Sequence, residues 1–459
     1  MEEDTKRKKI MEEDRITALP DDILHSILSL VPIRDAARIA VLSRRWRYLA
    51  KSLSNLHFES DNILGDRFPL EYFHELDNVN ERRAFSLERK LEFVKAVDQF
   101  LESRPCSIKM KSLRICMSLE TTYTSFLDKW IAHAFSSGIE ELHLQLCEWE
   151  YGLSDVEVER YSFPFHMLTH REASLKCLTL EYVMVRCPPN FHGFKSLTTL
   201  SFIDVKVSLD DLGEILSTCS ILERLSLVSC SLVSLEIPCS CSRLKHLKII
   251  NCDGLKNVSI NAPNITTFVY TGSMRNISFG ESLQLKHIEY NYKEDMLDGI
   301  ECVFGRLPHI VVHLESLKLY FCSYKKYIET KSFPEYFPQF AKLKQLQMKC
   351  FLYSYCDLLW RIPFLRACPF LEELRLKIVY CRAFRHSHYR EEVMELVPRC
   401  PLELLKRVKI NGFSGFWHEI AFASLLLKNA VNLETMIIDC HHKCYGEDEK
   451  QKHMNMAKP

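Results

Sequence analysis

Apolar positions along the chain change their period from region to region, and each change predicts a different kind of element. In "LPDDILHSILSLVP", Ile23, Leu24, Ile27 and Leu28 recur at the spacing of one helix face. Pro20 falls in the first turn, where its missing N–H leaves no bond unmade. Asp21 and Asp22 complement the positive helix end, and Pro32 ends the helix. A second stripe, Ile39, Leu42, Trp46 and Leu49, begins after Asp35, with Ser43 marking a break. This region, residues 15–55, is shorter than the roughly 70 residues below which a core seldom suffices alone. Its wide stripes, with three arginines inside "AVLSRRWRYL" (Ala40 to Leu49), must therefore pack either onto the rest of the chain or onto another protein.

The next stretch, residues 56–104, reads as a helical linker. In "SLERKLEFVKAVDQFLES", Leu91, Val94, Val97 and Leu101 are expected on one face, capping the open end of whatever follows.

From about residue 105 to 380 the pattern becomes L-x-x-L-x-L. It stands at Ile139/Leu142/Leu144, Leu175/Leu178/Leu180 and Leu197/Leu200/Phe202. Four consecutive copies start at 222, 244, 265 and 285, steps of 22, 21 and 20 residues. Those steps lie in the leucine-rich-repeat range. Later copies stand at Leu314/Leu317/Leu319, Leu343/Leu346/Met348 and Leu371/Leu374/Leu376. Weaker copies between them, such as Leu232/Leu235/Ile237 and Leu255/Val258/Ile260, are read as extended returns, because repeats this short leave little room for a long helix. Cys147, Cys230, Cys252 and Cys322 each lie eight residues into their copy, the inward slot of the template. "KSFPEYFPQF" is read as an insertion that loops out. Stacked repeats bury one another's apolar faces, so function belongs to the outward positions between the leucines. The candidates are His246, Lys248, His287, Glu289, Lys318, Tyr320, Arg375 and Lys377, a face of mixed charge for a target protein.

Residues 390–440 change pattern again. Val408 and Ile410 predict a strand, "NGFSG" a turn, "FASLLLKNA" a helix with Ile420, Leu425 and Leu427 as its main aliphatic residues, and Met436 and Ile438 a last strand. This strand–helix–strand unit is expected to close the far end. Residues 441–459 read as a disordered tail.

Composition narrows the function. Lys plus Arg equals Asp plus Glu, 60 each, which gives no nucleic-acid signature. Glycine-loop, GxSxG and HExxH motifs are missing from the sequence, so no enzyme class suggests itself. Cys239 and Cys241 have no second pair at metal-site spacing. No cofactor is expected. The charged "MEEDTKRKKIMEED" has no apolar h-region, and no run of about 18 apolar residues predicts a membrane span. The nineteen cysteines are then expected to be reduced thiols, in the cytoplasm or nucleus.

"LPDDILHSILSLVPIRDAARIAVLSRRWRYL" resembles an F-box: the LPDxIL opening, the proline near the first helix end and the "LSRRWR" ending stand in order. The C-terminal stretch "NGFSG", "FASLLLKNA" and "NLETMIID" resembles the FBD segment. The order of the three regions is similar to the plant F-box/FBD/LRR-repeat family. The resemblance implies an α/β architecture: N-terminal F-box helices, a curved leucine-rich-repeat solenoid, and an FBD segment at its end. It implies a non-catalytic substrate-recognition subunit of an SCF ubiquitin ligase, docked on a SKP-family adaptor and through it on cullin and RING subunits. Carried onto this chain, the adaptor contacts would be Leu19, Pro20, Ile23, Leu24, Ile27, Leu28, Leu42, Ser43 and Trp46, some of which must instead hold the F-box together, a division the sequence does not make. Two other readings stay open: a non-degradative interaction protein and a small-molecule-sensing receptor.

Overall fold

The leucines of the repeat template become the inward rungs of parallel strands. The computed structural model describes residues 16–65, 76, 78–105, 108–146, 159–168, 174–273, 277–280, 284–292, 299–321, 337–352, 358, 362–380 and 401–440. Outside them lie Cys147, Cys322, the basic run at 6–9 and the 441–459 tail. The chain divides into two compact units between Leu222 and Glu223.

The first unit opens with three short helices, α1 (Asp21–Leu30), α2 (Ile33–Ile39) and α3 (Arg44–Lys51). Pro20 and Pro32 sit just before α1 and α2, where proline's fixed φ suits helix entry. Ser43 caps α3: its hydroxyl accepts the Trp46 N–H at 3.2 Å, so the expected break is a new helix start. The chain then forms β1 (Asn55–Glu59) and α4 (Ser60–Leu64). Strand β1 pairs in parallel with β2 (Ser112–Cys116). The sheet thus begins inside the stretch read as helical linker. Leu56 and Phe58 are its buried alternates, too brief a period to stand out by sequence.

Helix α5 (Val79–Glu102) lies between these two strands in sequence. Val94, Val97 and Leu101 are buried as expected, but Leu91 is 53% exposed and Phe93 takes the inward place. Successive three-residue steps drift by about 60° each around a helix, so Leu91 ends on the flank. The remaining elements are α6 (Thr124–Ser136), β3 (Glu141–Gln145), β4 (Cys177–Glu181), β5 (Met184–Val185), β6 (Thr199–Ile203), β7 (Lys206–Val207) and α7 (Leu209–Thr218). The main sheet runs β1-β2-β3-β4-β6, and β5 pairs with β7. Helices α6 and α7, of 13 and 10 residues, fill returns of this unit that lie outside the weaker copies read as extended. Ser208 caps α7 by accepting the Asp211 N–H.

The second unit holds β8 (Arg224–Val228), β9 (Ser234–Ile237), β10 (His246–Ile250), β11 (Asn257–Ile260), β12 (Thr267–Thr271), β13 (Ile277–Phe279) and β14 (His287–Tyr292). After a π-helical insert at Glu301–Arg306 and α8 (Leu307–Ile310) come β15 (Ser316–Phe321) and β16 (Gln345–Leu352). The unit ends with α9 (Ile362–Arg366), β17 (Glu373–Tyr380), β18 (Arg407–Asn411), α10 (Trp417–Asn429) and β19 (Thr435–Asp439). Its main sheet runs β8-β10-β12-β14-β15-β16-β17-β18-β19, and β9, β11 and β13 form a second parallel sheet. Here the weaker copies are extended returns, as their spacing predicts. Phe337 and Phe340 turn inward against Phe304 and Phe364, with the Phe304 and Phe364 rings stacked 4.3 Å apart. The described end of "KSFPEYFPQF" therefore packs rather than loops out, because a cluster of rings buries more apolar area than solvent exposure allows.

Two local devices repeat within each unit. The residue after the strand takes a left-handed backbone at Tyr182 and Asp204 in the first unit and at Ser229, Asn251 and Gly272 in the second. This corner turns the chain out of the sheet. The Cys230 and Cys252 thiols lie just past it, buried and directed at the Val228 and Ile250 carbonyls at 3.5 and 3.6 Å. The second device is a ladder, mostly of opposite charges, one residue before the strands. Main-chain bonds stack Glu223, Lys245, Thr266, Lys286, Glu315, Lys344, Glu372, Lys406 and Glu434 in that order in the second unit, and Lys111, Glu140 and Lys176 in the first.

Candidate protein-docking surfaces

Among the nine residues assigned to the adaptor by resemblance, burial separates two sets. Leu24 and Leu28 are fully buried and Trp46 is 6% exposed. With Ile33, Ala36 and Leu49 they form the core of the three-helix unit. These three are therefore among the residues that hold the unit together: a side chain already covered by its own helices has no surface left to offer. Ser43 is likewise committed to its cap. What remains outside is one apolar set: Ile23 and Ile27 on α1, Leu30 at its end, Val41 and Leu42 between α2 and α3, and Tyr48 on α3. Leu30, Val41 and Leu42 are 85%, 74% and 73% exposed. Pro20 is exposed and Leu19 half-buried. Leu30, Val41 and Tyr48 were missed because they fall off the two stripes chosen by helical spacing: Val41 lies in the turn, and Leu30 and Tyr48 on other faces of α1 and α3.

The arginines divide as well. Arg44 and Arg47 are exposed. Arg45 clamps the entry of α1: its Nε and terminal nitrogens donate to the Asp21 carboxylate and to the Thr17 and Leu19 carbonyls. Arg104, buried and so held below its ordinary value, ties the exit by donating to the Leu53 and Lys109 carbonyls.

The second surface is the outward face of the main sheet in the second unit. All eight residues read as target-binding lie on it, in register rows. One row carries His246, Thr267, His287, Ser316, Gln345, Glu373, Arg407 and Thr435. The next carries Lys248, Val269, Glu289, Lys318, Gln347, Arg375, Lys409 and Ile437. A third carries Asn291, Tyr320, Lys349, Lys377, Asn411 and Asp439. The His246 imidazole is held below its usual value by partial burial and by Arg224 and Lys245. Burial and Glu289 push the Tyr320 phenol up. Lys318 lies 3.7 Å from Glu289. Glu373 is paired by both Arg375 and Arg407, the latter at 3.4 Å. Gln347, Lys349, Arg407 and Lys409 were missed, although the two-residue alternation of "LKQLQMK" and "LKRVKIN" marks them.

At the C-terminal segment, Glu419 is fully buried at the start of α10. It accepts from the Tyr380 hydroxyl at 2.6 Å and from the Ser414 and Phe416 N–H groups at 2.9 Å. Burial raises its carboxyl to about 7 despite these donors. Leu425 and Leu426 face inward, while Ile420 and Leu427 are 49% and 60% exposed. Only Leu425 of the three expected aliphatics packs into the core, because Ile420 and Leu427 lie on the opposite helix face. Burial pushes the Cys241 thiol up to about 11, the opposite of a reactive or ligating thiolate. Among the described residues no group of three His, Cys, Asp or Glu side chains could hold a metal. No described helix is long and apolar enough to cross a membrane.

These features, a short helical unit with an uncovered apolar row and stacked parallel strands with an outward polar face, define an interaction module. The model of the F-box domain matches residues 16–58, and the model described as At1g61320/AtMIF1, LRR domain, matches residues 103–458. The chain belongs to the plant F-box/FBD/LRR-repeat family. Similar curated proteins, all from Arabidopsis thaliana, include the FBD-associated F-box protein At5g53635, 26% identical with 92% of this chain and 95% of that one covered. The F-box/FBD/LRR-repeat protein At1g13570 is 24% identical over 93% and 91%. The F-box/FBD/LRR-repeat protein At4g03220 is 29% identical over 57% of this chain and 52% of its own, so the match spans about half of that relative. F-box domains generally bind SKP-type adaptors in SCF complexes, and F-box and leucine-rich-repeat families are typically non-catalytic.

Proposed function

We propose that this chain is the substrate-recognition subunit of an SCF-type E3 ubiquitin ligase. Its three-helix unit docks a SKP adaptor, and its outward sheet face holds a target protein. The observation that carries this reading is the uncovered row Ile23, Ile27, Leu30, Val41 and Leu42 on a unit whose own core is already complete. Burying each such side chain against a partner is worth roughly 1.5–3 kcal/mol. No bond is made or broken by this chain in that role. Acceleration comes from proximity: a target lysine held near the charged conjugating enzyme reacts at high effective concentration. A depression of about 250 Å³ lies on this face, lined by Ser316, Lys318, Gln345, Gln347, Glu373 and Arg375 among others.

The test is co-purification with a SKP-family adaptor. Ile23→Asp with Leu42→Asp changes exposed residues only, so the variant is expected to fold and to lose adaptor binding by about a hundredfold. Equal binding by wild type and variant, both folded, sinks the assignment of this surface. A reconstituted ligase that ubiquitinates a bound target equally without this subunit sinks the ligase reading.

A further inference from the structure

Four neighbouring strands of the second unit carry six cations on their outward face: Lys318 on β15, Lys349 on β16, Arg375 and Lys377 on β17, Arg407 and Lys409 on β18. Register places Lys349 beside Lys377 and Arg375 beside Lys409. Neighbouring strands lie about 4.8 Å apart, so these like charges repel where nothing intervenes. Among the described outward residues of the four strands, Glu373 is the sole carboxylate, held between Arg375 and Arg407. Glu289 one strand before and Asp439 one strand after stand at the margins.

Composition does not produce this concentration. The chain has equal numbers of cations and anions, and the ladder preceding the same strands alternates in sign, Glu315, Lys344, Glu372, Lys406. That ladder alternates, whereas the described outward residues of the four strands hold six cations and one carboxylate. The shallow depression lies within the cationic area, lined in part by Lys318, Gln345, Gln347 and Arg375. Its amide groups donate hydrogen bonds that carboxylates accept, and a guanidinium can grip a carboxylate with two.

We propose that this face receives an acidic segment of a partner polypeptide, its carboxylates meeting Lys318, Lys349, Arg375, Lys377, Arg407 and Lys409. The proposal rests on the reading of this chain as a target-binding subunit and names the chemistry of the target. A nucleic acid fits less well: of the described outward positions of these strands only Tyr320 and Phe351 carry a ring, and Tyr320 is half-buried beside Glu289, whereas strand-binding proteins stack successive bases on rings.

The experiment measures fluorescence anisotropy of a labelled hexaglutamate peptide with the full-length chain. Arg375→Ala with Lys377→Ala and Lys409→Ala is compared with Lys286→Ala, Lys344→Ala and Lys406→Ala, which removes the same charge from the alternating ladder. Binding is expected to weaken about tenfold or more in the first variant and to stay within about twofold in the second. It also weakens in wild type as salt rises to about 0.5 M. Thermal melts confirm that both variants fold, and Arg375→Gln with Lys409→Gln replaces the first triple where it does not. Equal losses in the two triples, no binding by wild type, or tighter binding of a single-stranded oligonucleotide than of the peptide overturns the proposal. The peptide assay contains no adaptor and co-purification contains no peptide, so the two readings fail separately.

Discussion

Glu419 shows how one residue couples burial to a turn. Its carboxylate gathers the N–H groups of Ser414 and Phe416 and the Tyr380 hydroxyl, which joins the "GFSG" turn to α10 and β17. Burial nonetheless raises its folded value from 4.5 to about 7. Between these values the folded chain holds a proton that the unfolded chain has released, so this group's contribution to stability is full below about 4.5 and falls as pH climbs through 7. The slope is about 1.4 kcal/mol per pH unit inside that window. Glu419→Gln is expected to remove it: the difference between wild-type and variant stability in urea titrations changes from pH 5 to 7, and a constant difference contradicts the assignment. The "NGFSG" turn was legible in sequence; the buried acid behind it was not, because Glu419 reads as one more polar residue in a helix.

The corner after each strand makes a second residue-scale case. Ser229 adopts φ 54°, a conformation that strains any residue with a Cβ and that glycine takes freely, as Gly412 does at φ 78° after β18. Ser229→Gly is expected to stabilise the chain by about 0.5–1 kcal/mol in thermal or denaturant melts. A loss of stability instead means the serine side chain matters more than its backbone.

Between strands, register is the element-scale problem, and the charge ladder addresses it. Lys286 and Glu315 lie 3.5 Å apart and Lys245 and Glu223 3.3 Å apart, each pair on adjacent repeats. Both members of each pair are about half exposed, so a single pair contributes little after screening. A misaligned repeat would instead set like charges together. Glu315→Lys, which aligns three lysines, is expected to destabilise by roughly 0.5–1 kcal/mol at low salt, with most of that effect gone in about 1 M salt. A penalty independent of salt points to packing rather than charge. The strands themselves were legible, since every template leucine of the described main copies is buried. Strand β1 and helices α6 and α7 were not, because their apolar residues are too few or fall between copies of the template.

For the whole molecule, no disulfide joins two of the twelve described cysteines, and Cys230 and Cys252 direct their thiols at main-chain carbonyls. Thermal midpoints measured with and without reductant are therefore expected to agree; a clear drop on reduction would reveal a disulfide. The sequence by itself determined the order of elements, the repeat length and the inward rungs, because periodicity follows directly from backbone geometry. It also carried the family, through short motifs whose residues are adjacent in the chain. Only the tertiary structure decided which apolar residues face out. Leu24, Leu28 and Trp46 share their stripes with Ile23, Ile27 and Leu42, and nothing but the packing of α1, α2 and α3 separates core from surface. The same holds for the cationic face: Lys349 and Lys377 stand 28 positions apart in sequence and become neighbours only through the register of β16 and β17. Burial and strand register are relations between distant residues, and no local pattern encodes them.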